Sequence, residues 1–559
     1  MKIKILSLTV LLLCVSIVIV SAQTPVITWQ KTIGGSGDDS LVSIVPTADG
    51  GFIVSGYSNS DKSGDKTQNS VSNSFDYWIV KLNSTGNVQW DKTIGGIRTD
   101  KDPVIIPTAD GGYLIGGTSN SDLSADKTES DINDSYDYWV VKVDANGNVQ
   151  WDNTIGGIQL DVLTTLAQSP DGNYILGGYS YTIGDRKYDK TDGNRGSSLW
   201  ADYWIVKLNS DGTRILWNKV YGGKNEDILT SMEQTKDNGY ILGGYSYSNA
   251  EFEKSEDFLG NDDYWLVKID GNGNKLWDKI YGGSLSDYLT SLDQTKDGGY
   301  ILGGYSNSPV SFDKTQTFKG TTDYWIVKID SSRNVQWNKT LGGRLGDYLS
   351  SVQQTADGGY IIGGTSSSKA SATKSESSKG KEDFWILKLN KRGRGLWDKT
   401  IGGSKSDKLS VIKELSKDEF ILGGTSNSPV SGDKTDATVG GTGQNDFWIV
   451  RLSTNAAAQQ QVTQQPANVV STNSTAINLK KLLMQATPNP TKGIVTVNYS
   501  SVENATLIVY DNNGKTVLQT SLAGGKNTYQ LDLSKQAPGT YYAVLTCNNT
   551  SVTRIIVKE

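Results

Sequence analysis

Residues 323–343 read DYWIVKIDSSRNVQWNKTLGG, and residues 137–157 read DYWVVKVDANGNVQWDNTIGG. Each string is an apolar run, a short polar turn and a second run that ends in paired glycines. In an extended segment successive side chains alternate, so Tyr324 and Ile326 share one face while Trp325, Val327 and Ile329 share the other. Both faces are apolar. The pattern predicts a strand covered on both sides, as when a small antiparallel sheet packs between two copies of itself.

The copies are there. One tryptophan series falls at Trp29, Trp90, Trp151, Trp217, Trp277, Trp337 and Trp397, each in W-[QDN]-[KN]-x-x-G-G. A second falls at Trp78, Trp139, Trp204, Trp265, Trp325, Trp385 and Trp448, each in D-[YF]-W-[IVL]-[VL]-[KR]. That is seven copies of each, roughly 60 residues apart, the period of a repeat architecture. Within 287–343, four extended segments are predicted: Leu289 to Gln294, Tyr300 to Ser306, Asp323 to Ile329 and Val335 to Leu341. The first two are joined by Asp297-Gly298, a hairpin signal whose central residues can both take positive φ. A long polar loop, 307–322, precedes the third. The pair Gly303-Gly304 fits a place where another backbone approaches closely.

Four antiparallel strands per repeat, seven repeats and sheets stacked face to face predict an all-β, seven-bladed β-propeller. An open stack is the competitor, and the phase of the array separates the two. The array opens at Trp29 with a lone fourth strand and ends at Asp446–Leu452 with a third strand lacking its fourth. In a ring, the N-terminal strand, about Val26 to Ile33, completes the seventh blade, because no blade can bury its faces alone. All fourteen series tryptophans are expected in the core. The pattern resembles bacterial and archaeal β-propeller repeat families with sentences like D-G-G-Y-I-L-G-G-Y-S followed by D-Y-W-I-V-K-L-D-x-x-G-N. The resemblance covers 24–453; it implies the fold and says almost nothing about a ligand.

The flanks read differently. Lys2 and Lys4, the apolar run Ile5–Val20 and Val20-Ser21-Ala22 have the layout of a cleaved secretory signal, 1–22, with a retained anchor as the alternative. Cys14 follows Leu13, where a lipoprotein signal needs a small residue, so no lipid anchor is expected. No later stretch could span a bilayer. The propeller is assigned to 23–453. From 454 to 485 a Gln, Asn, Ser and Thr mixture lacks periodicity and reads as a flexible linker. Residues 486–559 alternate short strands with Gly/Asn turns, which predicts a small β-sandwich. Their order of Pro488-Asn-Pro490, Val509-Tyr-Asp511-x-x-Gly514, Pro538-Gly-Thr-Tyr541 and a terminal strand with Lys558 resembles the C-terminal sorting domain of the type IX secretion system of Bacteroidota. That resemblance implies the secretion machinery as partner and export through the periplasm and outer membrane, with release or surface attachment. A plain adhesion-type sandwich is the alternative.

Composition narrows the chemistry. The 559 residues contain no histidine, which removes Ser-His-Asp and Cys-His catalysis, His-ligated zinc and imidazole proton shuttling. Loss of Lys2 and Lys4 with the leader takes the formal charge from −6 to −8, without a basic patch, so nucleic acid is a poor partner. The mature chain keeps one cysteine, Cys547. No cofactor and no catalytic residue is assigned.

Asp39, Asp100, Asp161, Asp227, Asp287, Asp347 and Asp407 follow the Gly-Gly pairs at fixed spacing. They fit a carboxylate ring for a cation, or turns in which each side chain accepts backbone N–H bonds; the strict repeat favours the turns, since identical environments do not differentiate catalytic carboxylates. The same reasoning covers the Asp before each Tyr/Phe-Trp. Lys81, Lys142, Lys207, Lys268, Lys328, Lys388 and Arg451 are expected at strand ends with solvated heads. A D-K-T element recurs in the long loops; Asp61-x3-Asp65 hints at calcium, but no copy has the alternating acids and glycine of an EF-type loop, and no metal is assigned.

A site should depart from the symmetry. The third long loop, 181–201, is the longest and adds Tyr181, Arg186, Lys187, Tyr188, Arg195 and Trp200. Stacked aromatics with Arg would suit sugar rings or a partner's loop; local packing of a long insertion is the other reading. The expected function is a non-enzymatic exported binding scaffold for polysaccharide or protein. The alternative is a carboxylate glycosidase or lyase at the propeller mouth, and a structural spacer is a third reading. Close, unlike carboxylates on the axis with raised pKa would favour the enzyme; a flat polar mouth would favour binding.

Overall fold

The computed structural model describes residues 24–184, 187–441, 443–455, 483–487, 491–501, 504–511, 515–523, 525–547 and 550–559. The predicted leader, Arg186 and most of the predicted linker lie outside these residues. The chain forms two compact units.

The first unit consists of seven four-stranded antiparallel sheets. Blade 5 sets the pattern with an inner strand Asp287–Gln294, a second strand Tyr300–Ser306, a third strand Asp323–Ile329 and an outer strand Val335–Leu341. Blades 1 to 6 start at Asp39, Asp100, Asp161, Asp227, Asp287 and Asp347. Blade 7 contributes only Asp407–Ser416, Glu419–Ser426 and Asp446–Ser453, and its outer strand is Val26–Ile33 from the other end of the chain. The clasp is antiparallel, with Trp29 opposite Arg451, Lys31 opposite Ile449 and Ile33 opposite Phe447. Each inner strand touches the inner strands of both neighbouring blades, so the ring closes.

The third strands carry the core. Trp78, Trp139, Trp204, Trp265, Trp325, Trp385 and Trp448 are all fully buried. Each lies under the aromatic ring that precedes the Trp in the previous blade: Tyr264 sits 4.7 Å from Trp325 and Phe447 4.9 Å from Trp78. The Tyr264 hydroxyl also donates to the Trp325 carbonyl at 2.9 Å, so the contact is directional as well as apolar. Burying one such indole is worth roughly 4–6 kcal/mol before ordering entropy is subtracted, an upper bound.

The outer-strand tryptophans differ from expectation. Trp29, Trp90, Trp151, Trp217, Trp277, Trp337 and Trp397 are only half-buried. They lie between blades on the hairpin side of the ring; Trp90, for example, meets Tyr113 of the next blade edge-on at 6.4 Å. Above Trp151 sits Gly212, with φ +77°, whose missing Cβ would come within 2.5 Å of the indole.

Two further expectations are corrected at the hairpins. In Thr295-Lys296-Asp297-Gly298 only the glycine takes positive φ, at +82°, and Asp297 uses its side chain instead. Its carboxylate accepts from the Gly299 N–H at 3.1 Å and from the Thr295 hydroxyl. The strand-end lysines do not have solvated heads. The Lys328 side chain is 2% exposed and its ammonium sits 2.9 Å from Asp297, with a second bond of 2.7 Å to the Ile329 carbonyl. Lys81 and Asp49, Lys142 and Asp110, Lys207 and Asp171, Lys268 and Asp237, and Lys388 and Asp357 repeat this pair. In blade 7 the hairpin aspartate, Asp418, accepts from the Thr454 hydroxyl instead, and Arg451 pairs with Glu419 at 2.8 Å. A fixed turn carboxylate draws the lysine head back over the strand end and away from water.

Gly304 is required by close approach: a Cβ there would come within 2.0 Å of the Tyr288 carbonyl, where the first two strands of the blade shift register.

The second unit stacks a three-stranded sheet, Leu483–Thr487, Ile494–Ser501 and Gly525–Asp532, with a four-stranded sheet, Thr516–Leu522, Ala505–Tyr510, Gly539–Cys547 and Thr550–Lys558. Val495, Val497, Leu507, Val509, Leu531, Ala543, Leu545 and Ile556 form its core, with Cys547 buried among them. The Lys558 ammonium donates to the Ser534 carbonyl at 3.0 Å, which fastens the final strand.

Deleting residues 23–35 removes the clasp and should lower and broaden the thermal transition of the ring; an unchanged melt would refute closure. Ile33, 2% exposed, gives a milder probe: Ile33→Ala should cost about 2–5 kcal/mol in denaturant unfolding.

Candidate functional site

Every inner strand starts on the side of the ring that carries the long loops, so the residues just after each start surround the mouth of the central channel. Two repeat positions meet there: the residue after the first Asp, and the residue after Gly-Gly in the second strand. The position after Gly-Gly reads Tyr57, Thr118, Tyr179, Tyr245, Tyr305, Thr365 and Thr425 around the ring, and the position after the first Asp reads Ser40, Lys101, Val162, Ile228, Tyr288, Tyr348 and Lys408, so tyrosines run without a gap from blade 3 to blade 6. Cross-strand pairing sets Tyr288 opposite Tyr305.

The rings form a continuous arc. Tyr245 meets Tyr288 edge-on at 4.8 Å, Tyr288 lies 5.2 Å from Tyr305, and Tyr305 meets Tyr348 at 5.2 Å. In blade 3, Tyr179 and Tyr181 pair with each other edge-on at 6.3 Å. Carboxylates stand behind these rings: the Tyr288 hydroxyl donates to Asp262 at 2.8 Å and the Tyr181 hydroxyl to Glu226 at 3.0 Å. Burial, with the charge and hydrogen bond of Asp262 outweighing Ser286, pushes the Tyr288 phenol up to about 12. Tyr348 is 43% exposed, which leaves one end of the arc open to solvent.

The loop residues singled out in the sequence do not assemble into one site. Tyr181 pairs with Tyr179. Tyr188 borders a cavity with Ile215, Leu216 and Trp217 on the outer strand of blade 3, and the Lys187 ammonium lies over its ring. Arg195 is held by Asp192 at 2.8 Å and by Glu253 of the next blade's loop at 2.6 Å, while its N–H donates to Asp202. Trp200, 39% exposed, is fixed through its main chain to Ser197 and Asn194. Arg186 lies outside the described residues. The loop thus spreads its aromatic and basic residues over four separate sets of partners.

The repeated aspartates are buried. Asp287 accepts the Gly283 N–H at 2.6 Å, and Asp39, Asp100, Asp161, Asp227, Asp347 and Asp407 make the same bond at 2.6–2.8 Å. The Asp at the start of each third strand also accepts loop N–H groups, as Asp76 does from Val71 at 2.6 Å. Between these two carboxylates in every blade lies the D-K-T lysine or its equivalent. Lys66, Lys127, Lys190, Lys254, Lys314, Lys374 and Lys434 are at most 3% exposed. Each ammonium lies 5.2–5.9 Å from the centre of the third-strand indole. The D-K-T aspartate accepts from the Gly-Gly turn; Asp65 takes the Gly34 N–H at 3.2 Å. Burial raises the third-strand carboxyls, to about 8 for Asp137 and about 7 for Asp76, Asp263 and Asp446.

At the opposite, hairpin end of the channel one repeat position reads Val45, Ile106, Ala167, Glu233, Asp293, Gln353 and Lys413 around the ring. Glu233 and Asp293 are neighbours: burial, then the charge of Asp293, raises Glu233 to about 7, and Asp293 is raised as well, with Lys413 opposing in both. These are the close, unlike carboxylates that an axial enzyme would need. Both are already engaged, Glu233 by the Gln294 N–H at 2.5 Å and Asp293 by the Gln354 N–H at 2.6 Å.

Sequence reading looked for the site in the longest loop and missed both the arc and this pair. The signal was present as variation at fixed repeat positions: Tyr against Thr after Gly-Gly, and Tyr against Ser or Lys after the first Asp.

The third-strand carboxyls titrate higher in the folded ring than the ordinary value near 3.9, so ionising them costs stability between about pH 4 and about pH 8. The buried lysines, lowered to about 8 in Lys314 and Lys374, lose stability only between the unfolded value of about 10.4 and pH 8 and stay level below. The hairpin aspartates such as Asp49, held at about 2 by Lys81, weaken only below about pH 4. The ring should therefore melt at a higher temperature at pH 5–6 than at pH 8; a flat or opposite trend in scanning calorimetry would count against these assignments.

The chain is similar in part to several known proteins. An uncharacterized WD repeat-containing protein of Acanthamoeba polyphaga mimivirus is 21% identical over 515 residues, spanning 72% of this chain; the chain covers only 36% of that relative's length. Among solved structures, Sqt1 from Chaetomium thermophilum aligns with 76% of this chain and 99% of its own at 11% identity and TM-score 0.34. An ulvan lyase of polysaccharide lyase family 25 aligns with 75% of this chain and 95% of its own at 10% identity and TM-score 0.41. Residues 486–559 match the secretion system C-terminal sorting domain family. The C-terminal unit is thus a type IX secretion sorting domain of the kind found in Bacteroidota, and the chain that carries it is exported through the periplasm to the cell surface or beyond.

Proposed function

We propose that the propeller is a non-enzymatic binding scaffold, delivered by its sorting domain, that holds a polysaccharide at the long-loop mouth of the channel. The observation that carries this reading is the arc from Tyr245 through Tyr288 and Tyr305 to Tyr348, with ring centres about 5 Å apart. Pyranose rings present C–H faces that pack on aromatic rings, while phenol and carboxylate groups at the rim take the sugar hydroxyls. A protein loop is the other ligand class such a surface accommodates. On a glycan array the secreted chain should bind a polysaccharide class, and Tyr348→Ala, which removes an exposed ring, should weaken that binding about five- to tenfold without changing the melting temperature. Absence of binding on the array, or full retention in the variant, would reject the site.

A second reading rests on Glu233 and Asp293. If the channel hosts a glycosidase or lyase, these two carboxyl groups are its acid and base, and Glu233→Gln abolishes release of new chain ends from a polysaccharide. The scaffold reading expects no chain cleavage by the unaltered protein in the same assay.

A further inference from the structure

The arc is not electrically neutral. Besides Glu226 and Asp262, which accept the tyrosine hydroxyls, blade 2 places a third carboxylate at the mouth by breaking the repeat. Its inner strand reads Asp100-Lys101-Asp102-Pro103, and the register shift there runs from Lys101 to Val104. Pro103 offers no N–H to the sheet, and Asp102 takes φ +56°, a left-handed conformation that a non-glycine residue rarely adopts. The result is a half-buried carboxylate whose charge acts on Tyr57 on one side and Tyr179 on the other, with Lys101 as its nearest cation. The Lys101 ammonium itself lies over Tyr136, 5.3 Å from the ring centre. Among the described residues none of Asp102, Glu226 and Asp262 makes a salt bridge, although seventeen ion pairs are formed elsewhere.

Two physical effects point the same way. A phenol that donates to a carboxylate carries a more electron-rich ring, which strengthens its attraction for a cation over its face. The carboxylates also add negative charge beside the rings, which attracts a cation to the same place. Tyrosine faces backed by carboxylates that make no salt bridge form a receptor for an ammonium group, whereas a site for neutral sugars needs no such charge. We propose that the mouth recognises a polysaccharide bearing protonated amino groups, with the tyrosine faces taking the sugar rings and Asp102, Glu226 and Asp262 supplying the counter-charge. This rests on the polysaccharide reading of the same mouth.

The test is isothermal titration of the full secreted chain with a β-1,4-linked glucosamine oligomer, the fully N-acetylated oligomer of equal length, and a lysine-rich peptide. The glucosamine oligomer should bind at least about tenfold more tightly than its acetylated twin, with affinity falling as salt rises. Asp262→Asn, which keeps an oxygen for Tyr288 but removes the charge, and Asp102→Asn should each weaken it about five- to tenfold at an unchanged melting temperature. Equal binding of the free and acetylated oligomers would overturn the proposal and leave the polysaccharide reading standing. Binding of the peptide alone would overturn both in favour of a basic protein partner, and binding of none of the three would overturn the amine specificity outright.

Discussion

The structure depends on a strand that no single sheet can bury. Each third strand is apolar on both faces, with an indole on one and a tyrosine or phenylalanine on the other, and all its side chains except Arg451 of blade 7 are buried. Burial on both faces requires a neighbour on each side, so a blade at the end of an open stack would expose the most apolar surface in the chain. Closing the ring removes the end. The first strand of the chain therefore serves the last blade, and Trp448 reaches Gln30 at 3.0 Å much as Trp325 reaches Asn338 within its own blade.

The polar residues of the repeat follow from the same constraint. Packing seven sheets face to face leaves turns and strand ends partly withdrawn from water, and their N–H groups need acceptors. The aspartate after each Gly-Gly pair, the third-strand aspartate and the hairpin aspartate supply them. The lysines balance part of that charge by lying across indoles or against the hairpin carboxylates. The conserved look of these residues from blade to blade reflects seven solutions to one local problem, which is why chemistry is better sought where the repeat is broken.

Three breaks stand out, and each is on the channel rather than in the long third loop. Tyrosines run without a gap along the mouth from blade 3 to blade 6, where blades 2 and 7 have threonine and lysine. Lys101-Asp102-Pro103 interrupts the inner strand of blade 2. Near the hairpin end, Glu233, Asp293 and Lys413 face apolar residues from blades 1 to 3. Arg195, by contrast, was conspicuous in the sequence and is consumed by Asp192 and Glu253.

The sequence by itself determined the blade count, the strand order and the clasp, because period, alternation and phase are local properties that each repeat states again. It also marked the C-terminal sorting unit through its turn motifs. What only the tertiary structure decided is which side chains converge. The mouth tyrosines of blades 3 to 6 lie up to about 170 residues apart, and become neighbours because the ring sets successive inner strands side by side. The depth of a lysine head or an outer-strand indole was equally out of reach, since burial there is set by a carboxylate or a turn glycine elsewhere in the chain.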